Sequence, residues 1–262
     1  MKVQRCKGTR DLSPKEMIKF RLIEEIFRNC CLNWGYDEVR TPTLEYFQLF
    51  TSTGTLTPSM LNKVYSFLDW DGWSGERVVL RPDGTIPVAR LFIENMTDKE
   101  LAKLFYVANI FRFEETGRKT RERWQCGVEL IGINTAIADV ELIALAMEVM
   151  KKLELKDVEL KLSHAGLIKA VLENLNLSSN QQVKILDQIL DGDTEALARL
   201  KIEENEQTKM LISLLDLKGK SSGFLKNLKA SFAGDFPNLG AQFDDFISIV
   251  ELLEMLGYNC QI

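Results

Sequence analysis

The sequence predicts an α+β fold: strands that include a long, and hence antiparallel, hairpin among helices, with a helical region towards the C-terminus. Three observations carry this. Residues 111–132, FRFEETGRKTRERWQCGVELIG, read as a long hairpin, because FYVANIFRF and WQCGVELIG suit pleated, half-buried surface and the polar stretch between them holds a turn glycine. Helical periodicity appears over 13–34 and again over ADVELIALAMEVMKKLEL. From about residue 165 the composition becomes rich in Ala, Leu, Lys and Glu, and helical spacing continues through 260. The expected division is a mixed core over 1–164 and a mainly helical segment, inserted or appended, over 165–262.

Each element has its own signal. Ser13 suits the N-cap of the first helix, Pro14 its first position, and Glu16 completes a capping box. Ile18, Leu22, Ile26 and Cys30 recur on one face, and Gly35 ends the helix. YDEVRTPTLEYFQLF follows as a strand interrupted by Pro42. Proline cannot donate to a ladder, so that strand belongs at an edge or an interface. Asp71-Gly72 reads as a hairpin turn, and VVLRP as a strand leading into Asp83-Gly84-Thr85. A helix begins with Pro87 in its first turn. Beyond the basic hairpin, Val140, Ile143, Ala144, Met147 and Met150 share a helix face, and Val158, Leu160 and Leu162 alternate in a strand. Breaks near Gly192, at GKSSG (219–223) and at GDFP (234–237) divide the helical segment. GKSSG lacks the first glycine and the strand of a phosphate loop, and reads as a loop.

Charge narrows the function. The net charge of −5 opposes a broad nucleic-acid-binding face. Positive charge is instead local: Arg112, Arg118, Lys119, Arg121 and Arg123 crowd one hairpin, which points to a single cleft for a nucleotide or another anion. Arg112 is read inside the strand, where a charge is rarely buried unpaired. Five cysteines show no metal-type spacing, so no metal site is expected, and adjacent Cys30 and Cys31 read as small core residues. No secretory leader or membrane span is legible, and a reduced, cytoplasmic protein is the expectation. His164, alone of its kind, reads as a cap or helix start rather than a catalytic base. Trp70, Trp73 and Trp124 suit packing and partner contacts equally.

These segments together resemble the catalytic core of class II aminoacyl-tRNA synthetases, most closely the histidyl-tRNA synthetase-like group. KGTRDLSP (7–14) is similar to that group's N-terminal signature. The first helix with GYDEVRTPTLE (35–45) resembles motif 1, the dimerisation element, with Pro42 as its central proline. LRPDGT (80–85) resembles the substrate-binding strand and loop, and FRFE (111–114) with WQCGVE (124–129) resembles motif 2, the ATP-binding hairpin. The resemblance implies an antiparallel sheet flanked by helices, a dimer through motif 1 and a histidine pocket lined by Asp83, Thr85, Gln125 and Glu129. It places Arg112 at the α-phosphate of ATP, Glu114 towards the adenine, and Arg118 and Arg121 in the nucleotide-contacting loop. Read from the residues alone, Asp83-Gly84 also suits a plain turn. Gln125 and Glu129 suit a solvated strand face or an internal ion-pair network with Arg112.

The chain departs from the enzymes in ways that matter chemically. EETGR lacks their Pro and Gln, Arg123 stands where a phenylalanine stacks on adenine, and Asp83 stands where they have the longer glutamate. The chain reaches LGYNCQI before the histidine-specific segment, motif 3 and the anticodon-binding domain, so the core is expected to be incomplete at its C-terminus and tRNA is not an expected partner. LRPDGTIPVAR and CGVELIGINTAIADVELIALA resemble the group's non-catalytic branch, the regulatory subunits of ATP phosphoribosyltransferase. That resemblance implies no catalytic residue and no cofactor, a short-form catalytic subunit as partner, and histidine as feedback ligand in histidine biosynthesis. The alternative is a histidyl-tRNA synthetase, or its catalytic fragment, using ATP and Mg to activate histidine and charge tRNA(His).

Overall fold

The computed structural model describes residues 3–52, 61, 63–70, 75–114, 120–175, 177–190 and 206–262. The Asp71-Gly72 turn, Trp73, the hairpin tip with Arg118 and Lys119, and the Gly192 break lie outside them. The chain forms two compact units, Met1–Asn134 with Leu145–Leu155, and Thr135–Ala144 with Lys156–Ile262.

In chain order the first unit holds α1 (Pro14–Asn33), β1 (Asp37–Glu38), β2 (Leu44–Tyr46), α2 (Phe47–Ser52), β3 (Ser66–Trp70), β4 (Gly75–Leu80), α3 (Thr85–Asn95), β5 (Ala102–Phe111) and β6 (Glu122–Ile131). The capping box of α1 forms as expected. Ser13 Oγ accepts the Glu16 N–H, and Glu16 Oε2 accepts the Ser13 N–H at 2.8 Å. Gly35 follows with φ +78°, a left-handed conformation that glycine adopts without strain. The buried face of α1 differs from the expected stripe: Glu24, Phe27, Cys30 and Cys31 point inward, whereas Ile18 and Leu22 are exposed. Glu24 can turn inward because Arg21 at 2.5 Å and Arg28 at 3.3 Å pair its carboxylate. A charged residue on the inner face hides that face from a hydrophobic count.

β5 and β6 form the expected hairpin, antiparallel from Ala102 opposite Ile131 to Phe111 opposite Glu122, and β1 joins β5 in parallel. A second sheet has the order β2-β4-β3. Pro42 separates β1 from β2, so the predicted interrupted strand becomes two short strands in different sheets, with β2 at an edge among the described residues. FQLF is helical in α2 rather than extended. Phe47 and Phe50, three residues apart, pack towards Val79 and Ile86, and so short an apolar run does not reveal its period. α3 begins after Gly84 with Pro87 in its first turn. Arg90 then grips buried Glu45 of β2 through two nearly parallel bonds of 2.8 and 3.0 Å.

Arg81, only 4% exposed, joins these pieces. Its guanidinium donates to Thr41 O, Thr41 Oγ1, Pro42 O, Asn109 O and Asn109 Oδ1 at 2.7–3.2 Å. Its own N–H donates to Thr43 O, and its carbonyl accepts the Phe111 N–H, both at 3.0 Å.

Helix α4 (Ala136–Lys152) contributes its first residues to the second unit and its last to the first. On it Val140 and Ala144 are buried as expected, joined by Leu145 and Val149, while Met150 is exposed. The second unit continues with β7 (Leu160–Lys161), α5 (Ala165–Glu173), α6 (Ser179–Leu190), α7 (Glu206–Asp216), α8 (Ser222–Phe232), α9 (Pro237–Met255) and β8 (Cys260–Gln261). Val171, Leu172, Leu211, Leu225, Leu239 and Phe243 centre its core. β7 is shorter than the predicted strand, pairs in parallel with β8, and leaves Val158 exposed. GKSSG is a loop. Gly219 exchanges two backbone hydrogen bonds with Ile262, and Ser221 caps α8.

His164 is the N-cap of α5. Its Nδ1 accepts the Leu167 N–H at 2.9 Å, its Nε2 faces Asp245 Oδ2 at 3.0 Å, and its ring stacks on Phe246. An accepting Nδ1 places the proton on Nε2. As the chain has one histidine, nitrogen NMR at neutral pH should give one imidazole in the Nε2–H form; an Nδ1–H spectrum would contradict this cap. Arg81→Met strands several buried carbonyls and should cost roughly 3 kcal/mol of stability. The urea midpoint should fall with an unchanged slope, and an unmoved midpoint would remove Arg81 from this joining role.

Candidate functional site

The strand β4 ends at Leu80, and the Arg81 clamp delivers Pro82 to Thr85 onto one face of β6. That face carries Gln125, Gly127 and Glu129, spaced two apart as strand geometry requires. Gln125 Oε1 accepts the Gly84 N–H at 3.1 Å. Asp83 Oδ1 accepts the Ile86 N–H at 3.2 Å in the first turn of α3. The Tyr106 hydroxyl donates to Glu129 Oε1 at 3.4 Å, and the Thr85 hydroxyl stands beside both groups with one proton to give to either. The four residues expected to line one pocket, Asp83, Thr85, Gln125 and Glu129, are therefore brought together.

Tyr106 is the member that sequence reasoning missed. It is buried, and its ring lies in register with Gly127 across the β5–β6 pair. A Cβ on Gly127 would stand 2.1 Å from the ring, and one on Gly84 the same distance. Both glycines make room for the ring. The available signal was the pairing of an inward tyrosine against a glycine once the hairpin register is drawn.

The pocket is electrostatically unusual. Burial pushes the Asp83 carboxyl above its ordinary range, opposed by the Ile86 and Thr85 N–H groups and by Arg112. Burial likewise raises Glu129, opposed by the Thr85 and Tyr106 hydroxyls and reinforced by the charge of Asp83. Burial foremost raises Tyr106 as well, which keeps it a neutral donor. The expected ion-pair network is replaced by hydroxyl and backbone donors. Two half-buried carboxylates facing one space favour a cation between them, such as an ammonium or imidazolium group.

Of the phosphate candidates among the described residues, Arg112 borders this quartet. Arg112 sits one residue beyond β5 rather than inside it. Its N–H donates to Arg121 O, and its Nε to Pro82 O, each at 2.9 Å, which directs it to the loop before Asp83. Arg121 is turned onto its own hairpin: Nε donates to Glu114 O at 2.8 Å, Nη2 bonds the same oxygen, and the guanidinium lies 4.7 Å over Phe113. Gly8, at φ +75°, accepts the Arg121 N–H at 2.6 Å, and a Cβ there would meet the Arg121 stem at 2.5 Å. The N-terminal signature thus supports the hairpin mouth. Arg123 is exposed, with Nε 3.3 Å from Thr120 Oγ1. Among the described residues, no cluster of His, Cys, Asp and Glu could hold a metal ion, and no helix is long and apolar enough to cross a membrane.

The raised carboxyls have a signed consequence. A carboxyl whose folded pKa lies above its unfolded value stabilises fully below the unfolded value and loses that contribution as pH rises through the folded one. The pocket should therefore make the protein less stable from the ordinary carboxylate range upward. Asp83→Asn and Glu129→Gln should flatten that slope and raise the urea midpoint at neutral pH. A wild-type midpoint that climbs steadily over pH 4–8, with neither variant altering the slope, would refute the assignment.

Comparison with known proteins places this geometry. The family described as Histidyl-tRNA synthetase matches residues 8–262. An ATP phosphoribosyltransferase regulatory subunit of Dehalococcoides mccartyi is 55% identical over 260 residues, 99% of this chain and 63% of that protein. A histidine–tRNA ligase of Archaeoglobus fulgidus is 36% identical over 246 residues, covering 91% of this chain and 58% of the ligase. The chain thus spans less than two thirds of the length of these curated relatives. Among solved structures, an ATP phosphoribosyltransferase regulatory subunit/histidyl-tRNA synthetase from Bacillus halodurans superimposes with a TM-score of 0.79 at 26% identity, over 97% of this chain and 65% of that one. The histidyl-tRNA synthetase of Nostoc shares the fold, with a TM-score of 0.76 at 16% identity over 98% of this chain and 59% of that one. A class II synthetase-like core, with the loop after β4 assembled against β6, follows from fold and sequence together: this chain belongs to the histidyl-tRNA synthetase family.

Proposed function

We propose that this chain is the synthetase-like part of a regulatory subunit of ATP phosphoribosyltransferase, acting without catalytic residues of its own beside a short catalytic subunit. Its role is to support the first step of histidine biosynthesis and to transmit feedback by histidine. The observation that carries the reading is the 55% identity to the Dehalococcoides mccartyi regulatory subunits over 99% of the chain, against 36% to the ligases. The hairpin supports it. Arg121 is spent on Glu114 O and Phe113, and Arg123 replaces an apolar wall with an exposed charge. ATP is therefore not a cofactor in this reading, and tRNA is not a partner.

Histidine is the ligand of the assembled pocket. Asp83 and Glu129 receive a cationic group, and Gln125 and Thr85 orient it through hydrogen bonds. Feedback then requires that histidine bind one state of the complex more tightly than the other, since equal affinity shifts nothing. The subunit is a homodimer through motif 1, whose exposed apolar residues Ile18, Leu22, Leu44 and Tyr46 suit a buried interface. It works in the cytoplasm.

A second reading has one observation in its favour. Asp83, Thr85, Gln125 and Glu129 stand together with Arg112 beside them, as a histidine-activating enzyme would need. Two assays separate the readings. The purified protein should co-elute with a short-form ATP phosphoribosyltransferase and raise its activity, while histidine-dependent exchange of pyrophosphate into ATP stays at background. Robust exchange with no effect on the transferase would replace the regulatory reading with the ligase.

A further inference from the structure

The pocket contains a group with no assigned role, and its surroundings are unusually specific. Tyr106 is held from two sides by residues without side chains. An added Cβ at Gly84 would stand 2.1 Å from the ring edge, and one at Gly127 equally close to the ring carbon bearing the hydroxyl. The ring is 3% exposed and belongs to a central strand, so it has no room to swing. Its hydroxyl donates to Glu129 Oε1 at 3.4 Å, and the Thr85 hydroxyl stands beside both groups, free to donate to one of them. The acceptor that this buried hydroxyl finds is a half-buried carboxylate, on which the Thr85 hydroxyl also converges.

We propose that Tyr106 is a positioning residue of the pocket: wedged between Gly84 and Gly127, it aims the Glu129 carboxylate and the Thr85 hydroxyl at a ligand's cationic group. The argument is one of accounting. Glu129 carries two oxygens and faces Asp83, a like charge, with no arginine upon it among the described residues. Left to its rotamers it would turn away from Asp83 to water, because its side chain has three rotatable bonds and only half of it is covered. Tyr106 and Thr85 hold one edge of it and leave the other edge towards Asp83 and the ligand. The two glycines explain why the device needs three segments of the chain at once. Either one bearing a methyl group would displace the ring.

That the ligand is histidine rests on the reading above; the positioning of Glu129 does not. Tyr106→Phe removes the hydroxyl and leaves the wedge. In the unliganded protein, carbon-13 NMR should show the Glu129 carboxyl titrating at higher pH than in the wild type, since a donor favouring its charged form is gone. Calorimetry should show histidine binding roughly tenfold weaker, with the weakening largest below the Glu129 midpoint, while the urea midpoint changes little. A Glu129 titration that does not move overturns the proposal, as does a moved titration with undiminished histidine affinity. A wild type that binds no histidine while Tyr106→Phe still shifts Glu129 sinks the histidine reading and leaves the positioning role standing.

Discussion

A buried guanidinium with neutral partners is the constraint on which the first unit depends. Arg81 gives its donors to three carbonyl oxygens, a hydroxyl and an amide oxygen, drawn from the loop between β1 and β2 and from Asn109 on β5. Burial lowers its pKa, but a guanidinium starts so far above neutrality that the charge persists. The Glu45 carboxylate acts on it only through space, so its buried donors must be met by neutral groups, and the planar fork does so across separate chain segments. One residue thereby joins the β1-β5-β6 sheet to the β2-β4-β3 sheet. Only a long, branched, many-donor side chain can do this at one point.

The pocket hangs from that joint. Four residues after Leu80, the chain has crossed from β4 to the start of α3 and laid Asp83, Gly84 and Thr85 against β6. Arg90 ties the same helix to Glu45, so α3 is held near both its first turn and its middle. Against this rigid frame the carboxylates of Asp83 and Glu129 remain electrostatically unsatisfied. Burial disfavours both charged forms and the charge of Asp83 adds to this at Glu129, while hydroxyl and amide donors, and Arg112 at Asp83, offset it only in part. Stability given up in this way is the usual mark of a binding site.

The basic hairpin has a different character. Its strands are regular, yet two of its cations bond backbone carbonyls, Arg112 that of Pro82 in the loop after β4 and Arg121 that of Glu114 in its own hairpin, while Arg123 is exposed. A guanidinium that already serves a carbonyl and an aromatic face must give up both to meet a phosphate. The same residues that read as a phosphate clamp in one dimension act as struts in three.

Much of this was legible from local chemistry. The capping box at Ser13 and Glu16, the glycine stop at Gly35, the hairpin of β5 and β6 and the cap at His164 each involve neighbours in sequence, where residue type and spacing suffice. The quartet Asp83, Thr85, Gln125 and Glu129 was legible through family resemblance, and its members do meet. What failed or stayed hidden was non-local. The inner face of α1 was obscured because Glu24 is neutralised by arginines a turn away on either side. FQLF became helical because Phe50 had a sheet to pack upon. Arg112 and Arg121 found carbonyls that no spacing rule indicates, and Tyr106 became a wedge only when Gly84 and Gly127 closed upon it from separate segments. The sequence alone determined which residues could cap, turn and pair, since those choices rest on backbone geometry within a few residues. Tertiary structure decided which charges face a ligand and which hold the frame, because burial and partner distance exist only once remote segments meet.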